Sequence, residues 1–169
     1  MTEAPLERTV AHSETVMTQL MVPQWVNLHG TVHGGYILML ADQIAYVTAC
    51  RHAGRPTVTA SFDEVDFRSP IHVGDVVTLR ARVNSAGRTS MEIGVRIEAE
   101  DLLTGEVRHT NSCYITMVAV DEKGRPASVP PLTLRNDEER ARHARAGERR
   151  RVREQRRRRP TRSGLDTTA

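Results

Sequence analysis

Cysteine is scarce: Cys50 and Cys113 are the only two in 169 residues, too few for a disulfide framework and without the C-x-x-C spacing of a zinc site. Each sits in an apolar pattern, Cys50 in a helix and Cys113 in a strand, so both read as reduced core residues. G-x-S-x-G is absent, which argues against a serine hydrolase built on a nucleophile elbow. His29, His33, His72 and His109 supply no H-x-x-x-H pair on a helix, which argues against zinc. The apolar run from Tyr36 to Cys50 is shorter than the ~20 residues a bilayer needs and is interrupted by Asp42 and Gln43, so no membrane span is expected. The opening MTEAPLERTV has no apolar signal region, and a cytoplasmic location is the resulting expectation.

Charge divides the chain into two unlike parts. Residues 135–169 hold 13 arginines against 6 acids, while residues 1–134 carry a net charge of −4, so the basic isoelectric point of about 9.3 belongs to the tail. The expected organisation is a domain over residues 1–134 and an arginine-rich helix or tail over 135–169, partly disordered. Residues 136–159 permit a helix but are charged on every side, with arginine blocks at 149–151 and 156–159, so they predict an exposed helix without a core-facing stripe. A run of this kind is usually a solubilising end, and nucleic acid is not an expected partner.

Within the first part, apolar and polar residues alternate through Val16, Thr18, Leu20 and Val22, then from Val58 to Phe67 with a slip after Phe62. They alternate again over 76–83, 91–99 and 107–120. Gly74-Asp75, Gly87 and Thr104-Gly105 mark the turns between these strands. Around five strands joined mostly by hairpins, with one early helix, predict an α+β fold in which an antiparallel sheet curves around a central helix.

That helix begins in the most informative stretch, NLHGTVHGGYILMLAD, where a glycine-rich turn opens into an apolar helix carrying Asp42. Backbone amides at Gly34 and Gly35 lack intrahelical acceptors and lie at the positive end of the helix dipole, so they can hold a developing oxyanion. Asp42 is then the candidate base or nucleophile, and Asn27 could hold the attacking water; the plainer reading of the pair is a satisfied buried carboxylate and a turn former. At 1.5 Å per residue Asp42 lies roughly 12 Å along the axis from Gly34, too far to share one carbonyl carbon. Two copies packed antiparallel about a two-fold axis would bring Asp42 of one level with the helix start of the other. The helix is apolar all round, so part of it is expected to be covered by that second copy.

The chain resembles the hotdog-fold acyl-CoA thioesterases, in their cytosolic acyl-CoA hydrolase branch. The resemblance spans roughly residues 10–134 and rests on NLHGTVHGG followed by Asp42, on VDFRSPIHVGD, on SAGRTSMEI, and on DLLTGEVRHTNSCYITMVAVD leading to VPPL. It implies hydrolysis of fatty acyl-CoA to free acid and CoA, with Asn27 and Asp42 catalytic and with His33, Gly34 and Gly35 positioning the thioester and its oxyanion. It further implies Arg88, Thr89 and Ser90 against the CoA phosphates, and no cofactor beyond the CoA that is part of the substrate. Met39, Tyr46, Thr59 and Ser61 would line the acyl pocket. A homodimer, assembled further as a trimer of dimers, is the implied assembly. Two other readings stand beside it: a non-catalytic acyl-CoA sensor whose basic tail docks a partner, and a hydratase or dehydratase. The latter is disfavoured because no histidine lies between Tyr36 and Arg51.

Overall fold

A computed structural model describes residues 8–63 and 65–158. The chain runs through β1 (Arg8–Thr9), α1 (Val10–Ser13), β2 (Thr15–Leu20), a 3-10 turn (Pro23–Trp25), α2 (Gly34–Ala53), β3 (Thr57–Phe62), β4 (Asp75–Ala86), β5 (Ser90–Asp101), β6 (Val107–Ala119), β7 (Leu132–Thr133) and α3 (Asp137–Arg158). Five strands form one antiparallel sheet in the order β2-β4-β5-β6-β3. The short parallel pair β1-β7, which hydrophobic periodicity does not predict, ties the N-terminal segment to the stretch after Pro130-Pro131.

Period-two burial in the strands decides which face meets α2. Val77, Leu79, Ala81 and Val83 on β4, Met91, Ile93, Val95, Ile97 and Ala99 on β5, and Cys113, Ile115, Met117 and Ala119 on β6 point inward and are buried. The answering face of α2 repeats at three and four residues through Ile37, Leu40, Ala41, Ile44, Ala45, Thr48, Ala49, His52 and Ala53. Ala41, Ala45 and Ala49 are wholly buried. Their small side chains let the helix backbone lie close to the sheet, and α2 packs on all five strands. Gly54 ends it in the left-handed region (φ 67°), donating its N–H to the Cys50 carbonyl at 2.8 Å. Among the described residues no helix is long and apolar enough to cross a membrane.

The protomer leaves part of the apolar α2 uncovered: Met39, Tyr46 and Val47 are 43%, 47% and 37% exposed. One expectation needs correction. The helix over 137–158 does have a docked side. Ala146 is buried, Arg149 lies over the Tyr114 ring at 3.6 Å, and the Arg149 guanidinium donates at 2.6 and 3.2 Å to Glu92. Arginine stems and ion pairs do the packing, so no apolar stripe announces the contact. The expected fraying beyond 158 lies outside the described residues.

Candidate active site

The segment before α2 is a closed loop held by its own side chains. Asn27 Oδ1 accepts from the N–H of His29 (2.8 Å) and of Thr31 (3.3 Å), Asn27 Nδ2 donates to Thr31 Oγ1 (2.9 Å), and Gly30 turns the chain at φ 78°. The His33 N–H donates to the Trp25 carbonyl at 2.7 Å. The Trp25 ring stacks on Tyr36 with centroids 3.9 Å apart and planes 9° from parallel, clamping the loop to the first turn of the helix.

His33 caps α2 by backbone alone; its carbonyl accepts from Tyr36 and Ile37 and its side chain is exposed. The N–H groups of Gly34 and Gly35 find no backbone acceptor among the described residues, as the first turn of a helix requires. A Cβ at 34 would come within 3.2 Å of the Phe67 ring, a close approach that glycine relieves, whereas at 35 it would meet only His33 Nδ1 at an ordinary 3.8 Å. Beside this helix start lies a cleft of about 280 Å³ lined by Val32, Gly34, Ile37, Phe67 and Ile71, with Arg68 at its rim.

Two turns further on, Asp42 is half-buried and accepts a 2.6 Å hydrogen bond from Thr59 Oγ1. Sequence reasoning placed Thr59 in the pocket wall; in the structure it grips the carboxylate and also contacts the Met117 sulfur at 3.4 Å. The register slip of β3 against β6 falls between Thr59 and Ser61, not after Phe62, and the Ser61 hydroxyl is buried with no hydrogen-bond partner among the described residues. Met39 and Tyr46 flank Asp42 on the exposed face of α2.

Arg88, Thr89 and Ser90 form the β4-β5 turn. Arg88 is exposed, the carbonyls of Arg88 and Thr89 accept from Val129 and Ala119, and Ser90 pairs with Val118, which in turn pairs with Val58. The turn therefore lies at the same end of the sheet as Thr59 and Asp42.

Within one protomer Asp42 and the start of α2 stay apart. No hydrogen bond among the described residues joins Asp42 to Asn27 or to the helix start, and helical rise separates Asp42 from Gly34 by roughly 12 Å. No group of three or more metal-ligating side chains gathers among the described residues. Burial pushes the Cys113 thiol up to about 12, leaving it without nucleophilic character. His52, fully buried on the far end of α2, is held below the ordinary imidazole range by desolvation, while its bond to the Pro130 carbonyl (3.1 Å) pulls the other way. Sequence reading missed the Trp25–Tyr36 clamp and the Thr59 bond.

Comparison with known proteins identifies the fold and the family. Residues 29–106 match the thioesterase superfamily. Protein VdlD of Helicobacter pylori is 44% identical over 122 residues, covering 72% of this chain and 70% of that protein. The uncharacterized acyl-CoA thioester hydrolase YkhA of Bacillus subtilis is 39% identical over 137 residues, 81% of this chain and 80% of that protein. An apo-hexameric acyl-CoA thioesterase superposes with a TM-score of 0.86 at 43% identity, covering 89% of this chain and 96% of that one. The acyl-CoA hydrolase of Staphylococcus aureus, solved with butyryl coenzyme A and coenzyme A, superposes at 0.83 with 36% identity, covering 89% and 92%. This chain therefore has the hotdog fold and belongs to the thioesterase superfamily, among its acyl-CoA thioester hydrolases.

Proposed function

We propose that the chain hydrolyses acyl-CoA to free acid and CoA in the cytoplasm, at sites that two copies build together. The observation that carries this reading is Asp42: a carboxylate held at 2.6 Å by Thr59 on a helix face whose large apolar side chains, Met39 and Tyr46, are left uncovered in the protomer. An apolar face of this kind is a surface for a second copy. Antiparallel packing of two α2 helices would bring Asp42 of one copy to the Gly34 and Gly35 amides of the other. The hexameric state of a relative at 43% identity supports an oligomer, with a trimer of dimers as the proposed form.

As a general base, Asp42 takes a proton from water while the water oxygen bonds to the thioester carbon. The carbonyl electron pair moves onto oxygen, where the Gly34 and Gly35 N–H groups of the second copy meet the charge, with His33 beside them. Return of that pair breaks the C–S bond, and the departing thiolate takes up the proton from Asp42. In the alternative route Asp42 itself attacks the thioester carbon and expels the CoA thiolate, forming an anhydride that water opens at the Asp42 carbonyl carbon, releasing the acid. Single turnover in isotopically labelled water separates the two, because only the second route puts label into the Asp42 carboxylate.

The apolar cleft beside Gly34, together with Met39, Tyr46, Thr59 and Ser61, would receive the acyl chain, and Arg88, Thr89 and Ser90 the CoA phosphates. Asn27 spends its side chain on its own loop, so we assign it to shaping the helix start. The Staphylococcus aureus hydrolase has been solved with an asparagine, an aspartate and a threonine each replaced by alanine, at positions numbered one above Asn27, Asp42 and Thr59. That coincidence supports the same trio here.

The test is free-thiol release over acyl-CoAs from short to long chain. Asp42→Asn is expected to lower kcat about 10²–10⁴-fold. Thr59→Val, which keeps the shape and removes the donor to a charged group, is expected to lower it roughly tenfold. A wild-type protein that releases no CoA from any of them would overturn the proposal and leave the acyl-CoA sensor in its place.

A further inference from the structure

The outer cleft between α3 and the sheet takes no part in the proposed thioester chemistry, and guanidinium groups build it. Arg80 and Arg82 come from β4, Arg96 from β5, and Arg142, Arg145 and Arg149 from α3, where spacings of three and four put the last three on one helix face. Together they line a cavity of about 180 Å³ with Gly94 and Tyr114, and among the described residues no carboxylate lines it.

The sequence tolerates an unfavourable arrangement to keep these charges together. Arg80 and Arg96 are direct cross-strand partners, a like-charged pair that a sheet disfavours. They share one carboxylate, Glu98, at 3.9 Å from Arg80 and 2.9 Å from Arg96. Arg82 reaches Glu14, Arg142 reaches Glu138, and Arg149 shares Glu92 with Arg153. Arg145 has no carboxylate partner among the described residues. The protein's own acids, all outside the cavity wall, leave the cleft with an excess of positive charge.

The geometry points to a binding site for a multiply charged phosphate group, gripped by the sheet arginines on one side and by the α3 arginines on the other. Guanidinium forks match phosphate oxygens two at a time, and a compact polyanion relieves the Arg80–Arg96 repulsion. A bound phosphate braces α3 against the sheet, so binding raises the stability of the whole chain. The group has two sources of the same chemistry: a free polyphosphate or nucleotide, or the phosphates of CoA itself.

Calorimetric titration of the full chain with tripolyphosphate, ADP and CoA, at constant ionic strength in chloride, tests this. Saturable binding and a raised Tm are expected. Arg145→Ala and Arg96→Ala should each weaken tripolyphosphate binding roughly tenfold, with Arg145→Lys recovering part of the loss. Competition between CoA and tripolyphosphate, lost in both alanine variants, would assign the cleft to the CoA phosphates. CoA binding that ignores both variants while tripolyphosphate binding falls would assign it to a separate phosphate ligand. Arg145 is exposed and without a carboxylate partner, so its substitution leaves folding intact. Absence of saturable binding for all three probes, or affinities unchanged in both variants, would overturn the assignment.

Discussion

On its inner face the sheet meets α2 through Ala41, Ala45, Ala49, Leu79, Ile93 and Ile97; on its outer face it meets α3 through Glu92, Tyr114, Arg149 and Arg153. The inner contact is area removed from water, which is non-directional and carries no charges for salt to screen. The outer contact is a set of directed pairs around Glu92, itself buried and also bonded by Asn84 at 3.2 Å, with Arg153 reaching on to Asp63. Gly94 belongs to that arrangement, because a Cβ there would sit 2.5 Å from the Asn84 amide. The same strands therefore serve two kinds of cohesion, one facing the proposed catalytic helix and the other holding the charged helix α3.

Substitutions on the two faces should separate these cohesions. Ile97→Ala is expected to cost about 2–5 kcal/mol in denaturant unfolding, with little change between low and high salt. Glu92→Ala, which strips Arg149 and Arg153 of their shared carboxylate, is expected to cost about 1–3 kcal/mol, and the cost should shrink in high salt as the stranded guanidiniums are screened. Equal losses with equal salt response would erase the distinction.

A smaller effect concerns the far end of α2. The folded state holds His52 below its ordinary range, so the unfolded chain binds a proton that the folded chain refuses. The resulting stability is complete above about pH 6.5 and is lost as pH falls through the lower folded-state value. His52→Gln should flatten the acid slope of Tm against pH. An acid slope identical to wild type would show that other groups set it.

The sheet and α2 were legible because burial writes itself into sequence as period two and period 3.6: Val77 to Val83, Ile93 to Ala99 and Ile37 to Ala53 all carry the pattern. The start of the site was legible too, since Gly34 and Gly35 open an apolar helix and Asp42 interrupts it. The docking of α3 was not. Its inward residues are Arg142, Arg149 and Arg153, whose stems pack and whose heads pair, and hydropathy counts them as solvent-facing. Thr59 escaped as a partner of Asp42 for a related reason: a hydrogen bond across two elements leaves no spacing to read. The pair β1-β7 is two residues long and carries no pattern at all.

The central claim is that each reaction centre draws Asp42 from one copy and the helix-start amides from another. Asp42→Ala removes the base, and Gly35→Pro removes an oxyanion donor at a position in the first helical turn where proline is tolerated. Each variant alone should be nearly inactive. Unfolded together and refolded as mixed dimers, they should recover thiol release, because one of the two sites in each mixed pair then holds both an intact Asp42 and an intact Gly35. Mixed dimers that form, by mass, yet stay as inactive as their parents would contradict the shared site.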